Sequence, residues 1–299
     1  MDNIDILIQA PIFNVQLLLD GVLIGALFAL AAYGMALVWG VMNIINIVQG
    51  EFVILGGFVA WSLFQVGVPP LLGIPAAAFA LFILGYLLYK LVIFRLVDRD
   101  LFISLLATFG MSILLQQLMN EVFGADVQTV DTQLQSWFIF DGMVSVPQIK
   151  LLAFVLTLVI AVCLVVFMRK SRMGQAIRAT AQNARAARIL GIDTDKVYAT
   201  TYGINAAVCG AAGALVVMSL TIHPFQGLAY TIRSFTIVVV AGLGNIAGVV
   251  ASAFGLGVAE QYAGFVLGAE YQLAFVYLLL VVILMYRSFM LGRQRKYLK

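Results

Sequence analysis

Amide and carboxylate side chains gather in one stretch of an otherwise apolar neighbourhood, GVMNIINIVQGEFVILGGFVA: Asn43, Asn46, Gln49 and Glu51, with Gly50 between the last two. Such groups can exchange hydrogen bonds with a passing solute, but at membrane depth they are costly unless they face protein or a wet cavity. The spacing predicts either a short surface loop or a helix broken inside the bundle. The broken, re-entrant form is preferred, because irregular backbone is tolerated where it lines a pathway. A second stretch, TIVVVAGLGNIAG, places Gly242, Gly244 and Asn245 in apolar sequence. It imitates a dinucleotide fingerprint, Gly242-x-Gly244-x-x-Ala247 with Glu260 at nearly the required distance. No alternation of strand and helix patterns surrounds it, so it reads as a glycine-rich membrane break. Both stretches are candidate pathway elements that would present free backbone groups near the midplane.

The remaining reactive residues exclude several chemistries. There is no G-x-x-x-x-G-K-[ST] loop, no H-E-x-x-H, no Ser/His/Asp set and no pair of catalytic carboxylates on one face, so the chain is not expected to be an enzyme. His223 is the sole histidine and reads as a loop residue; Cys163 and Cys209 lie in apolar runs as small hydrophobes, without metal spacing. Asp20, Glu51, Arg233 and Glu260 are the ionisable groups nearest apolar surroundings, inside the bundle or at a headgroup boundary. No regular series of Asp, Glu or His crosses the chain, which argues against proton coupling.

One long polar segment is bracketed by membrane-length apolar runs: RKSRMGQAIRATAQNARAARILGIDTDK, within residues 169–197. Its bases are Arg169, Lys170, Arg172, Arg178, Arg185, Arg188 and Lys196, and its acids, Asp193 and Asp195, come only at the end. Ile177, Ala181 and Ala184 fall on one helical face and Arg178, Gln182 and Arg185 on another. Gly174 opens the helical part, Asn183 can cap a second short helix, and Gly191 can end it. Two readings stay open: an amphipathic connector lying on anionic lipid, or a segment that docks on a protein.

These segments need a membrane scaffold, and composition supplies one. The 299 residues are 63% hydrophobic and 10% charged, with mean hydropathy +1.07, against about 25% charged residues in a soluble domain. The fold class expected is an all-α polytopic membrane protein, a single transmembrane domain over residues 1–299 with about eight transmembrane helices and a broken segment in each half. Residues 120–147 hold Glu121, Asp126, Asp131 and Asp141 without a base, and Trp137 to Phe140 could form a hairpin or surface helix. The tail, residues 287–299, is basic. The positive-inside rule puts residues 169–197 and the tail in the cytoplasm and residues 120–147 outside. The N-terminus has Asp2 and Asp5 and no base, unlike a cleaved signal peptide. A weak internal echo pairs Gly40–Gly57 with Gly242–Gly257, as halves of a repeat. The small net charge of +3 gives no reason to expect nucleic acid.

Three motifs in order, GVMNIINIVQGEFVILGGFVA, SRMGQAIRATAQNARAARILGIDTDKV and FTIVVVAGLGNIAGVVASAFGLGVAEQY, make nearly the whole chain resemble the permease subunits of branched-chain amino-acid ABC importers. SRMGQAIRA followed by AARILGI is the most specific. The resemblance implies import by alternating access, a docking role for Gly174, Ile177, Arg178, Ala181, Ala184, Arg185, Arg188 and Gly191, and ATP bound on partner subunits, with no cofactor in this chain. It implies a second permease subunit, usually a different homologous chain, two ATPases, an external binding protein and the cytoplasmic membrane of a prokaryote. Many members carry N-F-A-H-G-E where this chain reads Asn46-Ile47-Val48-Gln49-Gly50-Glu51, so urea or short amides stay open beside amino acids. A stand-alone carrier or channel is the alternative class, separated by its independence of ATP and partners.

The charge asymmetry yields a direct test. A Gln133→Cys variant should react with an impermeant thiol reagent in intact cells; labelling only after lysis would reverse the topology.

Overall fold

The structure is a computed structural model that describes residues 3–97, 99–139, 142–242 and 245–297. Its helices are α1 (Asn3–Gln9), α2 (Ile12–Met42), α3 (Gln49–Gln65), α4 (Pro70–Leu91), α5 (Leu101–Phe123), α6 (Gln148–Lys170), α7 (Arg172–Gln182), α8 (Ala184–Ile189), α9 (Thr194–Ser219), α10 (Gly227–Ala241), α11 (Ile246–Leu267) and α12 (Gln272–Tyr297). A hairpin of β1 (Ser136–Ile139) and β2 (Val144–Pro147) interrupts them, with Ser136 opposite Pro147 and Ile139 opposite Val144. Of the two forms expected for this stretch, the strands win; β2, VSVP, alternates buried and half-buried residues as a strand does.

Seven helices among the described residues, α2, α4, α5, α6, α9, α11 and α12, are long and apolar enough to cross a membrane. The chain is therefore an all-α polytopic membrane protein, with α3 and α10 as shorter helices inside the bundle. Burial sorts the layers. Over their most apolar stretch α2 is 83% and α9 89% buried, whereas α4 and α5 are 22% and α12 is 6%. Phe79, Leu114, Val162 and Leu278 point outward from α4, α5, α6 and α12, as lipid-facing side chains do.

The bundle has two distinguishable ends. At one lie α7, α8 and the Lys90–Asp195 ion pair, which joins α4 to α9; Tyr89 adds a hydroxyl hydrogen bond to Asp195 Oδ1 at 2.8 Å. At the other lies the hairpin, and Gln128 and Ile222 exchange backbone hydrogen bonds at 2.8 and 2.9 Å.

Two helices start inside the bundle. After α2 ends at Asn43, in left-handed conformation, residues 43–48 climb back along it until the Gln49 amide donates to Ala31 O at 2.6 Å. From Met42 to Ala31 is about 16 Å at 1.5 Å per residue. After α9 ends, residues 220–226 likewise turn back, through a short 3-10 turn at Pro224–Gln226, to start α10 at Gly227. α3 then runs toward the hairpin end, where Phe58 stacks on Phe123 at 4.6 Å. α10 runs the other way, stacking Phe235 on Trp39 at 5.2 Å. The two units, α2–turn–α3 and α9–turn–α10, are antiparallel counterparts. The structural partner of the Gly40 stretch is thus the His223 turn and not Gly242–Gly257. Thr236 lies within α10, which runs from Gly227 to Ala241.

The inner starts touch through glycine. A Cβ on Gly50 would lie 1.7 Å from Gly227 O, and one on Gly227 would lie 2.3 Å from the Glu51 carboxylate. Any side chain at Gly50 forces the two helices apart. Overpacking of this kind costs about 1–3 kcal/mol or more. Gly50→Ala should lower the melting temperature of the detergent-purified protein by several degrees, and an unchanged melting curve would show that the contact carries no stability.

Candidate functional site

The inner break is a closed polar junction. Asn46, Gln49 and Glu51 are at most 1% exposed. Tyr202 donates to Asn46 Oδ1 at 3.1 Å, and Asn46 Nδ2 donates to Gln49 Oε1 at 3.3 Å. Gln49 Nε2 also lies 2.9 Å from Cys209 Sγ. Neighbouring helices take up the irregular backbone. Thr108 of α5 donates to Ile45 O at 3.1 Å and accepts from Ile47 N at 3.3 Å. Thr231 of α10 donates to Ile47 O at 2.9 Å and accepts from Gly50 N at 2.8 Å. The backbone groups that the sequence suggested would be free are therefore occupied here, by hydroxyls that patterning did not single out. Ser112 donates to Glu51 Oε1 at 3.0 Å, while Glu51 Oε2 is buried without a hydrogen-bond partner. No cation neutralises this carboxylate among the described residues; instead it lies in the first turn of α3 and against the first residue of α10, where two helix N-termini present partial positive charge. Asn43 is exposed at the end of α2.

The second candidate break lies elsewhere. Gly242, at φ +82°, ends α10, and exposed Asn245 caps α11 by accepting from Gly248 N at 3.0 Å. Asn245 lines a cavity of ≈ 600 Å³ with Tyr33, Met168 and Arg178 at the α7 end of the bundle. Gly244 lies outside the described residues. The structure thus does not bring Gly242 and Asn245 together with Asn46, Gln49, Gly50 and Glu51; Gly227 occupies that position.

The basic segment folds as two capped helices. Ser171 Oγ accepts from Gly174 N at 2.8 Å to start α7, and Asn183 Oδ1 accepts from Ala186 N at 3.0 Å to start α8. Gly191, at φ +84°, ends it, with Ile192 N donating back to Ala187 O at 3.0 Å. The segment is seated by Gly174, where a Cβ would stand 2.4 Å from Phe167 O, and by buried Ile177 and Ala187. Ile177 and Ala187 therefore hold the segment to its own bundle and are not presented to a partner. Arg178, Ala181 and Arg185 are exposed and Ala184 is half-buried; Arg188 Nε donates to Thr194 Oγ1 at 2.7 Å. Sequence patterning missed the most conspicuous feature, Ile189 and Leu190, each 80% exposed at the tip. Two adjacent aliphatics directly before a helix-ending glycine were the available signal.

Asp20, Arg233 and Glu260, the other ionisable groups nearest apolar surroundings, pair internally. Lys150 Nζ is 3.2 Å from Asp20 Oδ1, and Arg233 of α10 forms a bidentate ion pair with Glu260 of α11.

Known proteins match this chain over nearly its whole length. The profile of the family described as "Branched-chain amino acid transport system / permease component" matches residues 17–284. The high-affinity branched-chain amino acid transport system permease protein BraD of Pseudomonas aeruginosa is 31% identical over 294 residues, 93% of this chain and 95% of that protein. The corresponding permease protein LivH of Escherichia coli K12 is 30% identical over 290 residues, 92% of this chain and 94% of that one. A probable LivH of the archaeon Methanocaldococcus jannaschii is 26% identical over 269 residues, 87% of this chain and 85% of that one. No solved structure matches significantly.

The seating of α7 can be tested alone. Gly174→Leu should lift α7 from α6 and loosen the helical backbone around the already exposed Arg178 and Arg185, with tryptic cleavage there at least tenfold faster than in the parent. An unchanged digestion rate would mean that Gly174 does not position the segment.

Proposed function

Because the chain belongs to the family of branched-chain amino acid transport permease components, we propose that it is the membrane subunit through which an ABC importer moves branched-chain or related small amino acids inward. A permease moves a solute and makes no covalent change in it. The chain is a multi-pass protein of a prokaryotic cytoplasmic membrane. In this reading ATP is bound and hydrolysed by two separate subunits, a second permease chain completes the path, and an external binding protein delivers the solute to the hairpin end. Residues 169–197 and the basic tail then face the cytoplasm, in keeping with their charge.

The observation that carries the reading is the tip of α8. A segment seated on α6 and beside α9 holds Ile189 and Leu190 in the open, and the same segment exposes Arg178 and Arg185. Burying an aliphatic side chain contributes about 1.5–3 kcal/mol, and basic side chains around it give charge-assisted contacts to a partner's acids or carbonyls. A surface of this kind fits a cleft in an ATPase. The segment's ends run into α6 and α9, and the Lys90–Asp195 pair adds α4, so a displacement of the tip is passed to three membrane helices.

The substrate class follows with less reliance on the helix break. Gln49 stands where many family members carry His, but its amide is spent on Ala31 O and Cys209. The departure therefore concerns packing of the bundle, and amino acids remain the class favoured over urea or short amides.

Leu190→Asp should reduce co-purification of the ATPase at least tenfold and abolish ATP-driven uptake, while the variant itself stays folded. Ala184→Trp should act in the same direction by blocking close approach. Full association with both variants would favour a segment lying on lipid, where Trp is welcome.

A further inference from the structure

A second cavity, of ≈ 380 Å³, lies between α2, α10, α11 and the start of α12. Its volume falls in the range of about 300–1,000 Å³ typical of small-molecule sites. Exposed Thr221 stands at its rim, next to Ile222, which bonds to Gln128 at the hairpin end. Arg233 and Glu260 both line it. Their side chains are 14% and 5% exposed, and Arg233 Nε lies 3.2 and 3.0 Å from the two carboxylate oxygens. The guanidinium lies against two rings, 4.9 Å from the Phe28 centroid and 5.7 Å from that of Tyr230. Gln226, also in the lining, has a buried Oε1 without a hydrogen-bond partner.

We propose that this cavity is a subsite for an α-amino acid zwitterion, with Glu260 and Gln226 taking the ammonium, Arg233 the carboxylate, and Ile24, Phe28 and Leu220 the aliphatic side chain. The inference rests on the import reading and names where in this chain the solute is held. A zwitterion is a close ion pair of its own. Set against the Arg233–Glu260 pair it gives each charge an opposite neighbour and leaves no net charge in the cavity. A carboxylic acid lacking the amine would draw Arg233 away and strand Glu260; an amine lacking the carboxylate would strand Arg233. A stranded buried charge is strongly unfavourable, so the pair selects against both. The ammonium needs three acceptors: the two oxygens of Glu260 and the orphaned Gln226 Oε1 supply them. A purely structural pair has no use for that third acceptor or for a cavity open at the end where solute arrives. The guanidinium is prepositioned by Phe28 and Tyr230, so the site needs little ordering on binding.

The test uses the complex assembled with its ATPase in nanodiscs. Cys163→Ala removes the exposed native thiol and Thr221→Cys places one at the rim. L-leucine should slow maleimide modification of that thiol at least tenfold. 4-Methylpentanoate and 3-methylbutylamine, each with one charge, should leave the rate within twofold. No protection by leucine, or equal protection by either analogue, overturns the proposal. A second measurement removes the charges while keeping an apolar contact. Replacement of a buried ion pair by apolar residues is often neutral for stability, so the double variant Arg233→Met, Glu260→Leu should assemble with the ATPase at the parent level yet lose at least tenfold in leucine uptake. Parent-level uptake by that variant overturns the proposal; if it fails to assemble, the protection assay decides. Absence of ATP-dependent uptake in the unmodified complex defeats the import reading itself, whereas intact uptake without protection defeats only this site.

Discussion

The Glu51 carboxylate rests where the first turns of α3 and α10 converge, and the architecture around it follows from what that group requires. A lone buried carboxylate costs several kcal/mol. One hydroxyl, from Ser112, contributes about 1.5–3 kcal/mol as a hydrogen bond to a charge. Each helix N-terminus contributes about 0.3–1 kcal/mol, up to about 2 in a buried setting. These terms are of the same order as the cost only while both helix ends stay close, and closeness depends on Gly50 and Gly227 lacking side chains. Thr231 reinforces the contact by bonding across it to Gly50 N and Ile47 O. Two helices that start inside the bundle are thereby fixed to each other, pointing opposite ways.

That arrangement explains which helices are central. α2 and α9 are the long members of the two antiparallel units, and each is covered by the other unit's short helix more than by its own, α10 on α2 and α3 on α9, so they are enclosed. α4, α5, α6 and α12 remain with one face outward. In lipid there is no hydrophobic gain from bringing apolar faces together, so close contacts through small residues and polar bonds to irregular backbone do the holding. Thr108 and Thr231 perform the latter role here, and Tyr202 holds the Asn46 side chain beside them.

Much of this could be read from residue types. Polar residues at Asn43 to Glu51 in an apolar run favoured a break, the basic segment carries its own caps at Asn183 and Gly191, and residues 137–140 suggested a hairpin among two forms. The second break was harder. Gly242 to Asn245 carries the stronger composition signal, yet Gly242 ends α10 and exposed Asn245 caps α11, apart from the junction at Glu51. The actual counterpart turns on His223 and Pro224 and begins α10 with one glycine, whose significance lies in a neighbour distant in sequence. The same limit applies to Ile177 and Ala187. Helical spacing places them on a face but cannot say whether the bundle or a partner covers it. Ile189 and Leu190 look like ordinary apolar residues until their helix is seen to end in the open.

The bond between Gly50 and Thr231 joins residues 181 apart in sequence. During synthesis at about 5–20 residues per second, roughly 9–36 s pass between emergence of the first and of the second. Throughout that interval α3 is too short to settle as an ordinary span, and its leading carboxylate has no second helix end beside it. The first half of the chain enters the bilayer as an unfinished structure, and biogenesis is complete only when α10 arrives. A chain cut short before Gly227 would leave an acid and loose backbone exposed at membrane depth, a signature that membrane quality control can recognise.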